Sequence, residues 1–343
     1  MSTVTIIMSA YNSGLTLKQA VDSILAQTHH DFRLVVYDDA STDDTADILR
    51  GYDDPRVDAR YLTANRGLTR NLALGVAEAD TPYIARMDAD DIAAPDRLAA
   101  QVSYLESHPE IDVLGTNVVF FDDEGHESIG IQPEHHCEIA LELFFGFTMM
   151  HPTIMMRRSA LVAGEFNYDP HFRYSQDFDL WSRMVPHHGF ANLQRPLLRL
   201  REHPRKVSRA HRSEQQLFTT EIRARQIRRV MPRATDLEIE VFSAAARGDL
   251  PMDRTELVRL EEILVRLIAA NSDRAVYSVV DFEAAAAGFF RRICRSMLHE
   301  SRTGGAHYLC SSLRAKAPAE PLRTTLSFLA LAGLATLGLG VRR

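Results

Sequence analysis

The chain has 343 residues, 45% of them hydrophobic and 25% charged, which suffices for one large or two ordinary domains and excludes wholesale disorder. A net charge of −7 argues against a general nucleic-acid binder. Cys137, Cys294 and Cys310 stand far apart in no metal-binding spacing and read as reduced thiols of a cytosolic protein.

Val4–Met8 is a short apolar run that fits a buried first strand, too short and without the basic flank of a signal peptide. Ser9–Gly14 is a turn cluster, and Leu17, Val21, Ile24 and Leu25 then recur at helical spacing within Leu15–Ala26. Phe32–Tyr37 reads as a second strand running into Asp38-Asp39, with Ser41, Thr42 or Asp43 placed to cap a helix that reaches Leu49. Val57–Leu62 is a third, shorter strand, and Asn65–Asn71 leads into a helix through Ala77. Tyr83–Met87 is a mostly apolar approach that ends in Asp88-Ala89-Asp90-Asp91. Pro95 is expected in the first turn of the next helix, to about Glu106, before a strand over Val113–Phe121.

Strands alternating with helices over the first 120 residues predict an α/β fold with a parallel sheet covered on both faces. Right-handed crossovers then bring every strand's C-terminal end to one edge, so Tyr11, Asp39 and the Asp88/Asp90/Asp91 group should converge there. Like charges that close repel unless a cation or a donor-rich ligand sits among them, and Asp88 and Asp90 can both aim at one hard cation. A solvated acidic turn before the next helix is the alternative. Neither GxGxxG nor GxxxxGK[ST] occurs, which excludes a standard dinucleotide fingerprint and a P-loop.

Farther on, Ile154–Met156 reads as a buried strand preceded by His151-Pro152-Thr153. Asp177, Leu180, Trp181 and Met184 share helical spacing, which sets Asp177 near a helix start, as a helix-start residue or as a base whose pKa burial raises. Arg195–Arg229 is a basic stretch suited to phosphates or an anionic membrane surface. Ser213–His299 is mostly helical, with Ala284–Phe290 a packing segment. Thr324–Val341 is uncharged and flanked by arginines; its eighteen residues are the low end for a membrane span. A spanning, surface-lying or core helix all remain open for it.

Val4–Asn12, Val36–Thr45, Asn65–Asn71, Met87–Asp91, His151–Thr153 and Gln176–Trp181 together resemble, in order and spacing, the family 2 glycosyltransferases of the GT-A fold, over residues 3 to about 210. The resemblance implies a Rossmann-like, mostly parallel sheet with helices on both faces. It divides the chain into a GT-A domain (1–210, with a nucleotide-sugar half 1–120 and an acceptor half 121–210), a helical region (211–320) and the apolar segment (321–343). It also implies a nucleotide pocket of Ser9, Tyr11, Asp39, Arg70 and Asp88. Mn2+ or Mg2+ would be held by Asp90 and Asp88 with His203, and Asp177 would be the catalytic base. His151, Gln176 and Trp181 fall on the acceptor side. The family usually has Glu where Gln176 stands.

The function so implied is inverting transfer of a single sugar from a UDP- or dTDP-sugar to a glycan or glycolipid acceptor in surface polysaccharide synthesis. It would occur in the cytoplasm, with contact at the inner membrane. A polyprenyl-phosphate sugar synthase and a non-catalytic sugar-nucleotide-binding protein are the alternatives.

Overall fold

The computed structural model describes residues 2–146, 149–202, 211–249, 253–298 and 311–316. The chain forms two compact units, Met1–Ala140 with Thr148–Phe218, and Leu141–Phe147 with Thr219–Arg343. The first contains strands β1 (Val4–Ala10), β2 (Phe32–Asp38), β3 (Val57–Tyr61), β4 (Tyr83–Asp88), β5 (Ile92–Ala93), β6 (Ile111–Phe121), β7 (Glu127–Gly130), β8 (Met155–Arg157) and β9 (Gly189–Arg201). Between them run helices α1 (Leu17–Leu25), α2 (Thr45–Arg50), α3 (Leu68–Glu78), α4 (Arg97–Ser107), α5 (His136–Phe145), α6 (Arg158–Ala163) and α7 (Gln176–Met184), with a 3-10 turn over His151–Thr153.

The strands make one sheet in the order β3-β2-β1-β4-β8-β6-β9-β5, with β7 beside β6. The β3-β2-β1-β4 half is parallel, as alternation with helices demands. The other half departs from a parallel sheet: β8 runs antiparallel to both β4 and β6, and β5 antiparallel to β9. An apolar run such as Ile154–Met156 marks burial but carries no direction, so the mixed half was not legible. Alternate residues of β1 (Val4, Ile6, Met8) pack with Leu17, Val21 and Ile24 of α1 and Leu98, Val102 and Leu105 of α4 in one core. On the opposite face Ile7 meets Gly75 of α3 so closely that an added Cβ would lie 2.7 Å away.

Two helix starts differ from expectation. Helix α4 begins at Arg97 with Asp96 as its N-cap, so Pro95 lies outside the first turn. Asp44 is the N-cap of α2, while Asp43 Oδ1 accepts from the Thr45 backbone N–H at 3.0 Å and its hydroxyl at 2.6 Å.

Helix α8 (Arg212–Val230) leads out of the first unit. The second unit adds α9 (Asp236–Arg247), α10 (Arg254–Arg274) and α11 (Val279–Leu298). Reciprocal capping boxes start α9 (Thr235 with Glu238) and α10 (Asp253 with Glu256). Phe144, Phe145, Phe242, Phe282, Phe289 and Phe290 fill the core, with Ala286 and Ala287 allowing close approach. Buried Arg223 donates to the carbonyls of Phe144 and Gly146, satisfying the otherwise open C-terminal end of α5. Among the described residues no helix is long and apolar enough to cross a membrane, and the 324–341 segment lies outside them.

The β6–β9 pairing runs from Ile111 opposite Gly189 to Phe121 opposite Arg201. At Gly189 an added Cβ would lie 1.9 Å from the Glu110 carbonyl oxygen, a backbone atom that cannot step aside cheaply. Gly189→Ala is therefore expected to destabilise the protein by about 1–3 kcal/mol, read as a lowered urea midpoint; an unchanged midpoint would show that the strand shifts freely.

Candidate active site

The parallel register sets Ser9 opposite Asp88 and Ala10 opposite Asp38, so β1, β2 and β4 end at one edge. The loops that follow are tied together. Asn12, at φ 50°, accepts from the Thr42 N–H at 2.9 Å, and Gly14 N–H donates to Asp43 at 2.9 Å. Asp39 is buried; its N–H donates to the Ala10 carbonyl, and its two oxygens accept from the N–H groups of Arg66 and Gly67, each at 2.8 Å. Gly67 has φ 83°, which a side chain would strain. Asp39 thus first fixes the entry to α3. Ser9 is tied too, its hydroxyl accepting from Asn71 at 2.9 Å. Tyr11 (51% exposed) and Arg70 are open to solvent.

At the end of β4, Arg86 and Asp88 share a strand face at i and i+2. Arg86 is 4% exposed and grips Asp88 with both terminal nitrogens, Nη1 at 2.6 Å. Its Nε has no partner among the described residues. Beneath, fully buried Arg97 donates to the Arg86 carbonyl at 2.8 Å. Burial pushes Arg97 down to about 10. Asp91 accepts the Arg201 N–H with Oδ1 at 3.0 Å, while its Oδ2 is buried without a partner among the described residues. The Arg201 guanidinium donates to the Asp90 carbonyl, to Gln19 Oε1 and to Asp123 and lies over Phe121. It is a brace for the acidic turn, which argues against the phosphate contact that a basic residue in this stretch invites.

Asp88, Asp90 and Asp91 each offer an oxygen, all within 4.8 Å of one another. Burial, with Asp88 and Asp90 beside it, pushes the Asp91 carboxyl up to about 8. Burial also raises Asp88, against the pull of Arg86. A second group, Asp122, Glu124 and His126, sits on an exposed turn.

Opposite this turn stands the start of α7. Asp177 Oδ1 accepts the Phe178 N–H at 2.8 Å. Its carboxyl is raised, chiefly by burial and also by Asp88, while Arg86 and that N–H act to lower it. The Asp88 and Asp177 carboxylates therefore lie in electrostatic reach of each other, with Arg86 acting on both. Tyr168, buried, also feels Asp177 and Asp88 and meets His151 Nε2 at 2.8 Å. Burial and Arg86 hold His151 well below its ordinary pKa, as neutral imidazole.

The acceptor-side residues are not equally open. His151 is buried against Tyr168 and the edge of Trp181, and Trp181 is 0% exposed. The 3-10 turn carries His151 inward and Trp181 lies on the buried face of α7, so neither side chain is open to solvent. Gln176 does reach open space, lining a cavity of about 580 Å3 with residues 65–70, Pro170, Arg173, Tyr174 and Gln215. Its Oε1 is buried without a partner among the described residues. His203 lies outside the described residues. Sequence reasoning missed Arg86 and Tyr168. The period of two along β4 places Arg86 beside Asp88, whereas Tyr168 lies in an irregular segment with no such signal.

Comparisons with known proteins point one way. A family profile described as glycosyl transferase family 2 matches residues 5–165. EpsE of Bacillus subtilis, named as a glycosyltransferase, is 36% identical over 205 residues, 58% of this chain and 73% of its own. The amylovoran biosynthesis glycosyltransferase AmsE of Erwinia amylovora is 29% identical over 233 residues, 64% of this chain and 86% of its own. Residues 1–349 of S. aureus TarS, solved with UDP-GlcNAc, align at TM-score 0.57 and 16% identity, covering 100% of this chain and 93% of that one. The mannosyltransferase PcManGT of Pyrobaculum calidifontis, solved with GDP-Man and Mn2+, aligns at TM-score 0.51 and 17% identity, covering 98% and 87%. At such identities the shared property is the fold.

A carboxyl at about 8 in the folded chain, against about 4 unfolded, stays protonated longer in the native state. Its contribution to stability is full below about pH 4 and is lost as pH rises toward about 8. In EDTA, Asp91→Asn should therefore gain on the wild type in urea-denaturation stability across that window; a constant gap would show that Asp91 titrates normally.

Proposed function

The chain belongs to glycosyl transferase family 2 and is a glycosyltransferase, and from that premise we propose that it transfers a single sugar from a nucleoside diphosphate-sugar to an acceptor hydroxyl with inversion at the anomeric carbon. The observation that carries this reading is the Asp177 carboxyl, raised by burial and in electrostatic reach of the acidic turn at the strand edge. A raised pKa brings a carboxylate closer to the working pH of a general base. Asp177 takes the acceptor hydroxyl proton on the oxygen that Phe178 does not engage. The acceptor oxygen bonds to the anomeric carbon as the carbon–phosphate oxygen bond breaks, and the nucleoside diphosphate leaves with the electron pair.

The nucleoside rests against Tyr11 and the Asp39 turn, with Ser9 and Arg70 beside it. Carboxylate oxygens accept more than one hydrogen bond, so Asp39 keeps capacity for a base N–H after serving Arg66 and Gly67. The acidic turn fits a divalent cation: three carboxylates offer oxygens within 4.8 Å of one another, and the buried Asp91 Oδ2 has no donor among the described residues. Asp90 and Asp88 would hold Mn2+ or Mg2+, with His203 assigned by family resemblance alone. Such an ion supplies Lewis-acid stabilisation of the leaving diphosphate. Arg86 neutralises part of the turn and orients Asp88. The acceptor is a surface glycan or glycolipid, a reading supported by the polysaccharide-biosynthesis name of AmsE. The apolar 324–341 segment is the proposed membrane contact, on sequence grounds.

Asp177→Asn should lower kcat by about 10²–10⁴-fold and leave nucleotide affinity nearly intact; full turnover by this variant would rule out the base. Asp90→Ala should make nucleotide affinity, measured by calorimetry, the same with and without Mn2+. If the variant keeps the wild type's Mn2+ dependence, the metal assignment is wrong.

A further inference from the structure

The cavity beside Gln176 has a chemistry that transfer alone does not require. Arg66, Arg70 and Arg173 line it, and among its described lining residues there is no carboxylate. Arg66 and Arg70 have no ion-pair partner among the described residues, and Arg173 spends one nitrogen on Glu214. The one acid beneath the loop, Asp39, is occupied by the backbone of Arg66 and Gly67. Where the family usually places a Glu, the chain has Gln176, whose Oε1 is buried without a partner among the described residues while the residue lines the cavity.

The walls are built rather than incidental. The Thr69 hydroxyl donates to the Arg173 carbonyl at 3.3 Å, tying α3 to the segment before α7. Gln215 donates to the Tyr174 carbonyl at 3.0 Å, and the Tyr174 ring stacks on His211 at 4.3 Å between centroids. A carboxylate at position 176 would offset the arginines. A neutral amide there leaves the cavity cationic and adds a hydrogen-bonding side chain to its wall.

We propose that this cavity seats an anionic, hydroxylated substrate group, distinct from the donor diphosphate: its carboxylate or phosphate meets Arg66 and Arg173, and a hydroxyl meets the Gln176 side chain. Acidic sugars and sugar or polyol phosphates both carry this chemistry. The inference rests on the proposed transfer reaction, because the diphosphate is assigned to the acidic turn.

The test uses the full chain with Mn2+ and whichever of UDP, dTDP or GDP gives the largest thermal shift. Absence of nucleotide binding would defeat the functional reading itself. With nucleotide bound, D-glucuronate, D-glucose, glycerol 3-phosphate and glycerol are titrated by calorimetry. At least one anion should bind about tenfold tighter than its neutral counterpart, and whether it is the carboxylate or the phosphate identifies the source. Arg173→Gln and Gln176→Glu should each remove that preference, while nucleotide affinity in Arg173→Gln stays unchanged. Equal affinity for charged and neutral probes overturns the proposal. So does loss of anion binding once nucleotide and Mn2+ are present, since the cavity would then be the diphosphate's own seat.

Discussion

Three carboxylates packed into one turn at the end of β4 set the terms for everything around them. Asp88, Asp90 and Asp91 present oxygens within 4.8 Å of one another, and mutual repulsion with burial makes their full ionisation costly. The fold compensates locally. Arg86 grips Asp88 from the same strand, and Arg201 braces the turn through its backbone N–H to Asp91 and its guanidinium to the Asp90 carbonyl. Removing Asp88 would leave the buried Arg86 charge uncompensated, whereas Asp88 itself is one-third exposed. One oxygen is nonetheless left over, Asp91 Oδ2, and an orphaned buried acceptor in a cluster of acids is where a cation contributes most.

Asp39 shows the same economy at the end of β2. One carboxylate joins the end of β2 to the entry of α3, and through its N–H to the end of β1. The loops that bear Tyr11 and Arg70 are thereby fixed to each other, while Tyr11 and Arg70 themselves remain exposed. Rigid backbone under open side chains suits the proposed nucleotide pocket, which would receive its ligand without reorganising.

The same edge joins residues far apart in the chain. Strand β9 returns alongside β6 to bring Arg201 to the acidic turn, and α7 presents Asp177 to the Arg86–Asp88 pair. Nearby, neutral buried His151 packs against Tyr168 and Trp181, and burial holds the Asp177 carboxyl raised. Next to Gln176 the arginine-lined cavity has the opposite charge. An acidic turn and a cationic cavity on one unit thus carry opposite charge.

Local pattern determined much of this. The short apolar runs with period two, the helical spacing of α1 and α7, and the turn chemistry after β1, β2 and β4 are written in neighbouring residues, and the parallel rule then brings Tyr11, Asp39 and Asp88 to one edge. The family signature came from the same segments. What the tertiary structure decided depends on pairings between distant residues. The antiparallel direction of β8, the commitment of Arg201 to Asp91, the inward turn of His151 and the orphaned oxygens of Asp91 and Gln176 have no local code. Arg86 lies between the two: its place beside Asp88 follows from the strand period, but its burial, near His151 and Tyr168, exists only in the folded chain.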